Sequence, residues 1–324
     1  MKISFRVRSI STVLLLFLAG CSQRTTTPAK KTVEAKAQSA VWGSKGAGAG
    51  QLLEPRGLAV SPDGRFVFVT DNSGRVQKWT SDGKFVRGWL TPKTPTGLLE
   101  GSEGLTMLRD GNLAFAHTHA SQIIFYSPEG KMLRRFGSYG TGKGQFLLVT
   151  GVCQDAQGFI YTADYGGAFD RICKWTPEGK LLATWGGHGD APGKFRRPSG
   201  LAIARDENGN ETDLLVADVN NHRIQRLDRT TGQPRGSFGG PGKAAGKLDY
   251  PFAVAVDKQG FIYTAEYGGH RVQKWSREDK PLAVWGKAGR RTGELANPRG
   301  LAVGPDGSVY VSDTMNHRVQ KFRF

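Results

Sequence analysis

A pattern of short alternating segments recurs along this chain. Its clearest copy, SVYVSDTMNHRVQKFRF at residues 308–324, runs through an alternating apolar segment, an acid and a polar turn, and resumes at an Arg with a second alternating segment. Close relatives of this pattern lie at residues 66–79, 214–227 and 262–275. Alternating β-branched and aromatic residues on both sides of a polar turn predict a β-hairpin, with its turn between the acid and the Arg. The sequence therefore predicts an all-β protein built from repeated hairpins.

Two independent markers divide the chain into six units. The first is a small residue before an apolar strand, with successive spacings of 47, 47, 49, 53 and 47 residues, at Gly57, Gly104, Gly151, Gly200, Ala253 and Gly300. The second is an aromatic residue that closes each unit, at Trp42, Trp89, Phe136, Trp185, Phe238 and Trp285. Each unit holds four short strands, separated by turns such as Asp63-Gly64, in which Gly tolerates the positive φ of a tight hairpin. Six repeated four-stranded sheets predict a six-bladed β-propeller.

The two ends of the repeat region predict how the ring closes. The last unit stops at Phe324 after three strands, and residues 40–43 (AVWG) copy the fourth strand found at residues 282–286 (LAVWG). We expect this N-terminal strand to complete the last blade, because a ring closed in this way leaves no open edge at the junction.

The repeats resemble the NHL-repeat family, whose Asn-His-Leu is read here as Asn221-His222-Arg223 and Asn316-His317-Arg318. The resemblance covers about residues 40–324 and implies a propeller of NHL-type blades. The second unit departs most, with His117 at the position of the acid, and the third carries Phe169 and Asp170 as an insertion.

An enzyme with this architecture, the peptidyl-hydroxyglycine amidating lyase, provides a test of catalytic function. Resemblance to it would imply a catalytic zinc held by His residues between the Pro and the first strand of alternate blades. The corresponding positions here are Arg56, Glu103, Thr150, Ser199, Phe252 and Arg299, and none is His. No cofactor is therefore expected, and the alternative to a binding protein is an exported lyase or hydrolase with its site at the central channel.

The N-terminal residues predict export and lipid anchoring. Basic residues precede an apolar run at 13–19 that is too short for a permanent membrane span, and LAGC at 18–21 resembles a lipobox. The resemblance implies a signal peptide at 1–20, a lipidated Cys21 and a flexible tether at 21–39; an ordinary signal peptide that carries a cysteine is the alternative. The expected location is the membrane, on the outer-membrane or periplasmic side if the cell has two membranes.

Charge predicts a binding surface. The chain has 45 Lys and Arg and 28 Asp and Glu, a net charge of +17. Residues 1–39 contribute seven basic residues and one acid, which leaves +11 for the remainder. Propeller geometry places the blade-connecting loops, rich in Lys and Arg, on one face, although basic residues can also serve solubility alone. The predicted ligand-binding residues, centred on the first two, are Arg56, Arg299, Lys287, Arg290, Arg291, Arg196 and Arg197.

Crowded cations are destabilising without an anionic partner, which favours an anionic ligand. The sequence thus predicts a monomeric, lipid-anchored binding or scaffold propeller. It would engage a protein or an anionic envelope polymer through its basic face and contact the membrane through Cys21. Export disfavours a nucleic-acid partner.

Histidines and cysteines add little chemistry. The acid, the Arg and the histidines His222, His270 and His317 recur from blade to blade, which indicates a structural role. His117 and His119 alternate and are weak candidates for a metal site, since a third ligand is not evident. Cys153 and Cys173 lie two strands apart, too far for a disulfide, and are expected to be free, half-buried thiols.

Overall fold

The computed structural model describes residues 1–2, 40–94 and 103–324. The apolar run, Cys21 and the tether lie outside the described residues. The strands, all within the unit Thr32–Phe324, are β1 (Ala40–Trp42), β2 (Leu58–Val60), β3 (Phe66–Asp71), β4 (Arg75–Thr80), β5 (Phe85–Leu90), β6 (Gly104–Met107), β7 (Leu113–His117), β8 (Gln122–Tyr126), β9 (Met132–Phe136), β10 (Leu148–Gln154), β11 (Ile160–Tyr165), β12 (Arg171–Trp175), β13 (Leu181–Gly186), β14 (Pro198–Arg205), β15 (Glu211–Asp218), β16 (Arg223–Asp228), β17 (Pro234–Gly239), β18 (Pro251–Val256), β19 (Ile262–Glu266), β20 (Arg271–Trp275), β21 (Pro281–Trp285), β22 (Leu301–Val303), β23 (Val309–Asp313) and β24 (Arg318–Phe322). Three short 3-10 turns follow β7, β15 and β23, at Thr118–Ala120, Val219–Asn221 and Thr314–Asn316.

These strands form six four-stranded antiparallel sheets, each of them one blade of a β-propeller. Blades 1 to 5 use consecutive strands from β2 to β21. In blade 6, β1 pairs with β24, with Ala40 opposite Lys321 and Trp42 opposite Val319. The predicted fold and the closure of the ring by the N-terminal strand are confirmed.

The Gly marker reflects the close approach of adjacent blades at the centre of the ring. A Cβ atom on Gly300 would lie 1.7 Å from the carbonyl oxygen of Arg56, and one on Gly151 would lie 2.1 Å from that of Ser199. No side chain fits in such a gap, so the innermost strands can approach one another only where Gly removes the Cβ.

The aromatic marker reflects a second contact between blades. The aromatic residue that closes one blade lies against a Gly in the last hairpin turn of the next blade. A Cβ on Gly83 would lie 3.0 Å from Trp42, and one on Gly232 would lie 2.2 Å from the Trp185 ring. Since Trp42 belongs to blade 6 and Gly83 to blade 1, the Trp42 side chain packs between the last blade and the first.

An ion pair between a buried acid and an Arg spans the turn after the second strand in five of the six blades. The acid–Arg pairs, with N–O distances of 2.5 to 2.9 Å, are Asp71–Arg75, Asp164–Arg171, Asp218–Arg223, Glu266–Arg271 and Asp313–Arg318. The five carboxylates are almost fully buried, and each accepts backbone N–H groups from the loop that enters its own blade. The predicted pairing of acid and Arg across the turn is therefore present.

Histidines in the turns after the second strand link one blade to the next. The Nδ1 atoms of His317, His222 and His270 accept the backbone N–H groups of Glu54, Tyr250 and Asn297, at 3.1, 3.2 and 3.1 Å. Each of these amides belongs to the loop that enters the following blade. Because Nδ1 accepts the bond, it carries no proton in this arrangement. Burial, together with the charge of Lys45, lowers the pKa of His317, which favours that neutral form. Blade 3 has the inserted Asp170 in this role, and its Oδ2 accepts the N–H of Arg197 at 3.2 Å.

Two further expectations concern the thiols and the membrane. Cys153 and Cys173 are unpaired, as expected, but both are buried; the half-buried prediction was wrong because β10 and β12 both pack inside clusters of apolar side chains. None of the helices in the described part of the chain has the length and apolarity that a bilayer crossing needs.

Candidate functional site

The innermost strands of all six blades surround a central channel. Its volume is about 340 Å³, room for roughly ten water molecules at ~30 Å³ each, and β2, β6, β10, β14, β18 and β22 line it. Each of these strands has a hydrogen-bonded neighbour on one side only, so its other edge turns unpaired backbone groups towards the channel. The channel is therefore suited to water and polar groups.

Three arginines converge on one carboxylate where the innermost strands begin. The Oε1 atom of Glu103 lies 2.8 Å from Nη1 of Arg299, 3.8 Å from Nη1 of Arg56 and 3.7 Å from Nη2 of Arg197. The shortest of these is a hydrogen bond, and the other two are longer ion pairs. We call these four residues the arginine recess.

The recess is concave and already largely removed from water. The Glu103 side chain is 9% exposed, those of Arg56 and Arg299 are 13% and 19% exposed, and that of Arg197 is 31% exposed. Side chains this enclosed can surround a single inserted group, whereas a flat polyanion would meet mainly the exposed loops around them.

Local sequence explains how the arginines reach the same place. Arg56 and Arg299 each follow a Pro, and their backbone N–H groups donate to Thr70 and Ser312 of the adjacent second strand. Arg197 instead precedes Pro198 and has a positive φ of 58°, a conformation held by the bond from its N–H to Asp170. Each Arg is thus positioned by its backbone before its side chain makes any contact.

Aromatic rings hold two of the guanidinium groups in place. Arg197 lies 4.9 Å from the ring centroid of Tyr165 and 5.1 Å from that of Phe252. Arg299 lies 5.0 Å from Phe252 and 5.2 Å from Tyr267, so that Phe252 contacts both arginines. Such cation–π contacts favour the charged guanidinium and restrict its orientation.

The electrostatics of the recess are dominated by excess positive charge. Burial lowers the pKa of Arg56, the charge of Arg299 lowers it further, and the carboxylates of Glu103 and Glu54 oppose both effects. Burial also raises the pKa of Tyr165, which keeps its hydroxyl neutral. Three guanidinium groups and one carboxylate leave a net charge of about +2 inside the recess.

Several polar atoms of the recess are buried without a hydrogen-bond partner among the described residues. They are the Nε atoms of Arg56, Arg197 and Arg299 and the Oε2 atom of Glu103. Unsatisfied buried donors are costly, so three of them in one recess are unusual.

The remaining predicted cations lie near acids of their own loops. Lys287 lies 3.7 Å from Glu294, the backbone N–H groups of Arg290 and Arg291 donate to the same carboxylate, and Arg196 lies 3.8 Å from Asp190. The five cations expected to crowd one sector were Arg56, Arg299, Lys287, Arg290 and Arg291. Lys287 faces Glu294, whereas Arg56 and Arg299 face Glu103. The structure brings together Arg56, Arg299 and Arg197.

The two weak metal candidates occupy different environments. The strand β7 ends at His117, which is buried, and its Nε2 lies 3.0 Å from the carbonyl oxygen of Pro92. His119 is exposed in the following 3-10 turn, so the alternation that would have placed both on one side does not extend to it. Residues 1–2, 40–94 and 103–324 contain no group of three or more His, Cys, Asp or Glu that could hold a metal ion.

Sequence reasoning missed part of the site. Glu103 and Phe252 were recognised only as positions lacking His, and neither the ion pairs of Glu103 nor the contacts of Phe252 with Arg197 and Arg299 were predicted. A dyad of a half-exposed His188 and a buried Asp170 was also missed, in which Nδ1 of His188 lies 2.7 Å from Oδ2 of Asp170. The insertion that adds Asp170 to blade 3 was the available signal.

The fold and the repeats define a six-bladed β-propeller. The family model described as NHL repeat matches residues 295–322, within blade 6. The structure of a streptogramin B lyase is similar to this one, with a TM-score of 0.60 and 18% identity over 88% of this chain and 97% of that chain.

Two further solved structures are similar at lower identity. Virginiamycin B lyase from Staphylococcus aureus has a TM-score of 0.60 and 14% identity, over 89% of this chain and 100% of that one. A gluconolactonase from Xanthomonas campestris has a TM-score of 0.61 and 13% identity, over 84% and 86%. At these identities the likeness establishes the propeller fold and nothing about the reaction.

Proposed function

We propose that this protein is an exported, lipid-anchored binding propeller that captures an anionic group of a protein or an envelope polymer in the arginine recess. One observation carries the proposal: three arginines surround a single carboxylate in an enclosed recess, and their Nε donors have no partner among the described residues. Guanidinium groups make bidentate, charge-assisted hydrogen bonds with carboxylate or phosphate, which suits this task. The lipid on Cys21 would hold the propeller at the membrane, with the tether providing reach.

Removal of two recess arginines should abolish most anion binding. Hydrogen bonds to charged groups contribute about 1.5–3 kcal/mol each, so the double variant Arg56→Gln, Arg299→Gln should bind tripolyphosphate at least ~100-fold more weakly in calorimetric titration. The matched control, Lys287→Gln with Arg291→Gln, removes the same charge from an exposed loop. Screening at 0.15 M salt should limit its effect to about threefold. Equal losses in the two double variants would show that the anion binds the whole basic face, and no binding by the unaltered protein would refute the proposal.

A second candidate function, an enzyme at the same end of the channel, is favoured by the dyad of His188 and Asp170. Asp170 is buried and orients the imidazole through Nδ1, while the His188 side chain is half exposed. A histidine held in this way can act as a general base, and Asp170 also holds the backbone of Arg197, a cation that could stabilise a developing anion.

The enzyme candidate predicts turnover that depends on the dyad. The similar structures are of a streptogramin B lyase and a gluconolactonase, so a streptogramin B and a gluconolactone are the substrates to assay. His188→Asn should lower any turnover at least ~100-fold. His119→Asn, which alters an exposed histidine outside the recess, should leave it unchanged. Activity that survives His188→Asn, or no activity in the unaltered protein, would count against this candidate.

A further inference from the structure

The arginine recess carries more positive charge and more donors than its own carboxylate can satisfy. Each guanidinium has five N–H donors, yet Glu103 meets all three arginines through Oε1 alone, and its Oε2 has no partner among the described residues. A ligand with several acceptor oxygens in a small volume would match these donors.

The charge of the recess indicates how much negative charge the ligand carries. Glu54 also acts on Arg56, but its carboxylate accepts a hydrogen bond from Asn72 and forms no ion pair with the three arginines. With Glu103 in place, the remaining charge is about +2, concentrated around one point. A carboxylate or a phosphodiester, with a single negative charge, neutralises half of it, whereas a phosphomonoester at neutral pH supplies close to two charges on three terminal oxygens.

We propose that the arginine recess is selective for a dianionic phosphomonoester, the terminal phosphate of a larger molecule. This proposal rests on the proposed function, since it specifies the chemical class of the anion captured there. The enclosure of the side chains favours a terminal group over an internal phosphodiester, because a diester must bring a chain into the recess on both sides. The contacts of Phe252 with Arg197 and Arg299 hold two of the three guanidinium groups ready for the ligand.

The first test compares small anions that differ in charge, using the unaltered full chain. At pH 8, we expect methyl phosphate to bind at least ~10-fold more tightly than dimethyl phosphate, which carries one charge at any pH in this range. Inorganic phosphate, titrated in parallel, should bind no more tightly than methyl phosphate if an ester is the ligand. Tighter binding of the inorganic ion would instead assign a free phosphate and overturn the ester.

The second test uses pH, because the ligand loses its second charge near pH 6. Between pH 8 and pH 5, the affinity for methyl phosphate should fall about 10-fold, whereas that for sulfate, a dianion throughout, should change less than about threefold. Because sulfate keeps its charge, any change in its affinity with pH would come from titratable groups of the protein around the recess. These groups are Glu103, Glu54, Tyr165, Tyr267 and His188. An equal fall for both anions would locate the pH dependence in the protein and overturn the inference.

The third test changes the charge of the recess. Glu103→Gln should strengthen the binding of dimethyl phosphate about 10-fold, because the recess then holds three cations and no internal anion. The comparison of methyl and dimethyl phosphate needs no variant, so it decides the inference even if Glu103→Gln does not fold. Equal affinities of these two esters would overturn charge selectivity while leaving anion capture intact; binding of none of the anions would refute the proposed function itself.

Discussion

Replacing Trp42 with alanine is expected to lower the free energy of unfolding by about 3–5 kcal/mol, the usual cost of deleting a large buried aromatic side chain. Trp42 is 7% exposed, packs edge-on against Tyr310 at 6.0 Å and covers Gly83 of the first blade. The loss should appear as a fall of roughly 10 °C in the melting temperature, measured by circular dichroism.

Two comparisons distinguish the effect of the Trp42 side chain from that of strand β1, in which it lies. Val41→Ala changes the neighbouring residue of β1, whose side chain is exposed, and should cost less than about 1 kcal/mol. Trp42→Phe keeps an aromatic ring and removes a buried Nε1–H that has no partner among the described residues, so it should cost less than Trp42→Ala. If Trp42→Ala melts like Val41→Ala, ring closure depends on the hydrogen bonds of β1 and not on this side chain.

The fold could be predicted because each sequence marker meets one physical requirement that recurs in almost every blade. Gly300 is needed where a Cβ would collide with the carbonyl of Arg56, and Trp42 is needed where blade 6 meets blade 1. Both requirements are local to a blade junction, so one copy of the pattern predicts the others. The third unit meets the same requirement with a different residue, since the inserted Asp170 accepts a backbone N–H bond of the kind that a histidine such as His270 accepts elsewhere.

The candidate site was predictable only in part, because it depends on which side chains meet across the channel. Position in the repeat identified Arg56 and Arg299 as neighbours at the axis. It did not identify Glu103 as their shared partner, since that residue lies in blade 2, 196 positions from Arg299 in sequence. Position in the repeat also did not predict that Arg197 would reach the same carboxylate. Arg197 precedes a Pro, whereas Arg56 follows one. Repeat spacing gives the order of blades around the ring, whereas the reach of long side chains depends on their rotamers and on rings such as Phe252.

The buried acid–Arg pair of blade 6 predicts a second large effect. Asp313 is fully buried and accepts hydrogen bonds from the backbone of Ala296 at 2.7 Å and from the side chains of Asn316, Arg318 and Gln320 at 2.6 to 3.0 Å. Asp313→Ala removes the acceptor for all four donors and leaves Arg318 charged and nearly buried. Breaking one partner of a buried pair typically costs about 3–5 kcal/mol, and we expect a loss in this range by chemical denaturation.

An exposed pair supplies the control for that prediction, and a double variant tests its cause. Asp190, on the surface, lies 3.8 Å from Arg196, and Asp190→Ala should change stability by less than about 1 kcal/mol. If the cost of Asp313→Ala arises mainly from the unpaired charge of Arg318, adding Arg318→Met should recover part of the loss, because an apolar side chain no longer needs a counterion. If the effects of the two substitutions are fully additive, the unpaired charge of Arg318 is not the cause of the loss. The bonds from Ala296, Asn316 and Gln320 to Asp313 would then stabilise the turn. Arg318 would act separately, through its bonds to the carbonyl oxygens of Arg291 and Glu294. Blade 2, with His117 in place of the acid, shows that a blade of this ring can form without the pair, so the loss should weaken blade 6 and leave the propeller folded.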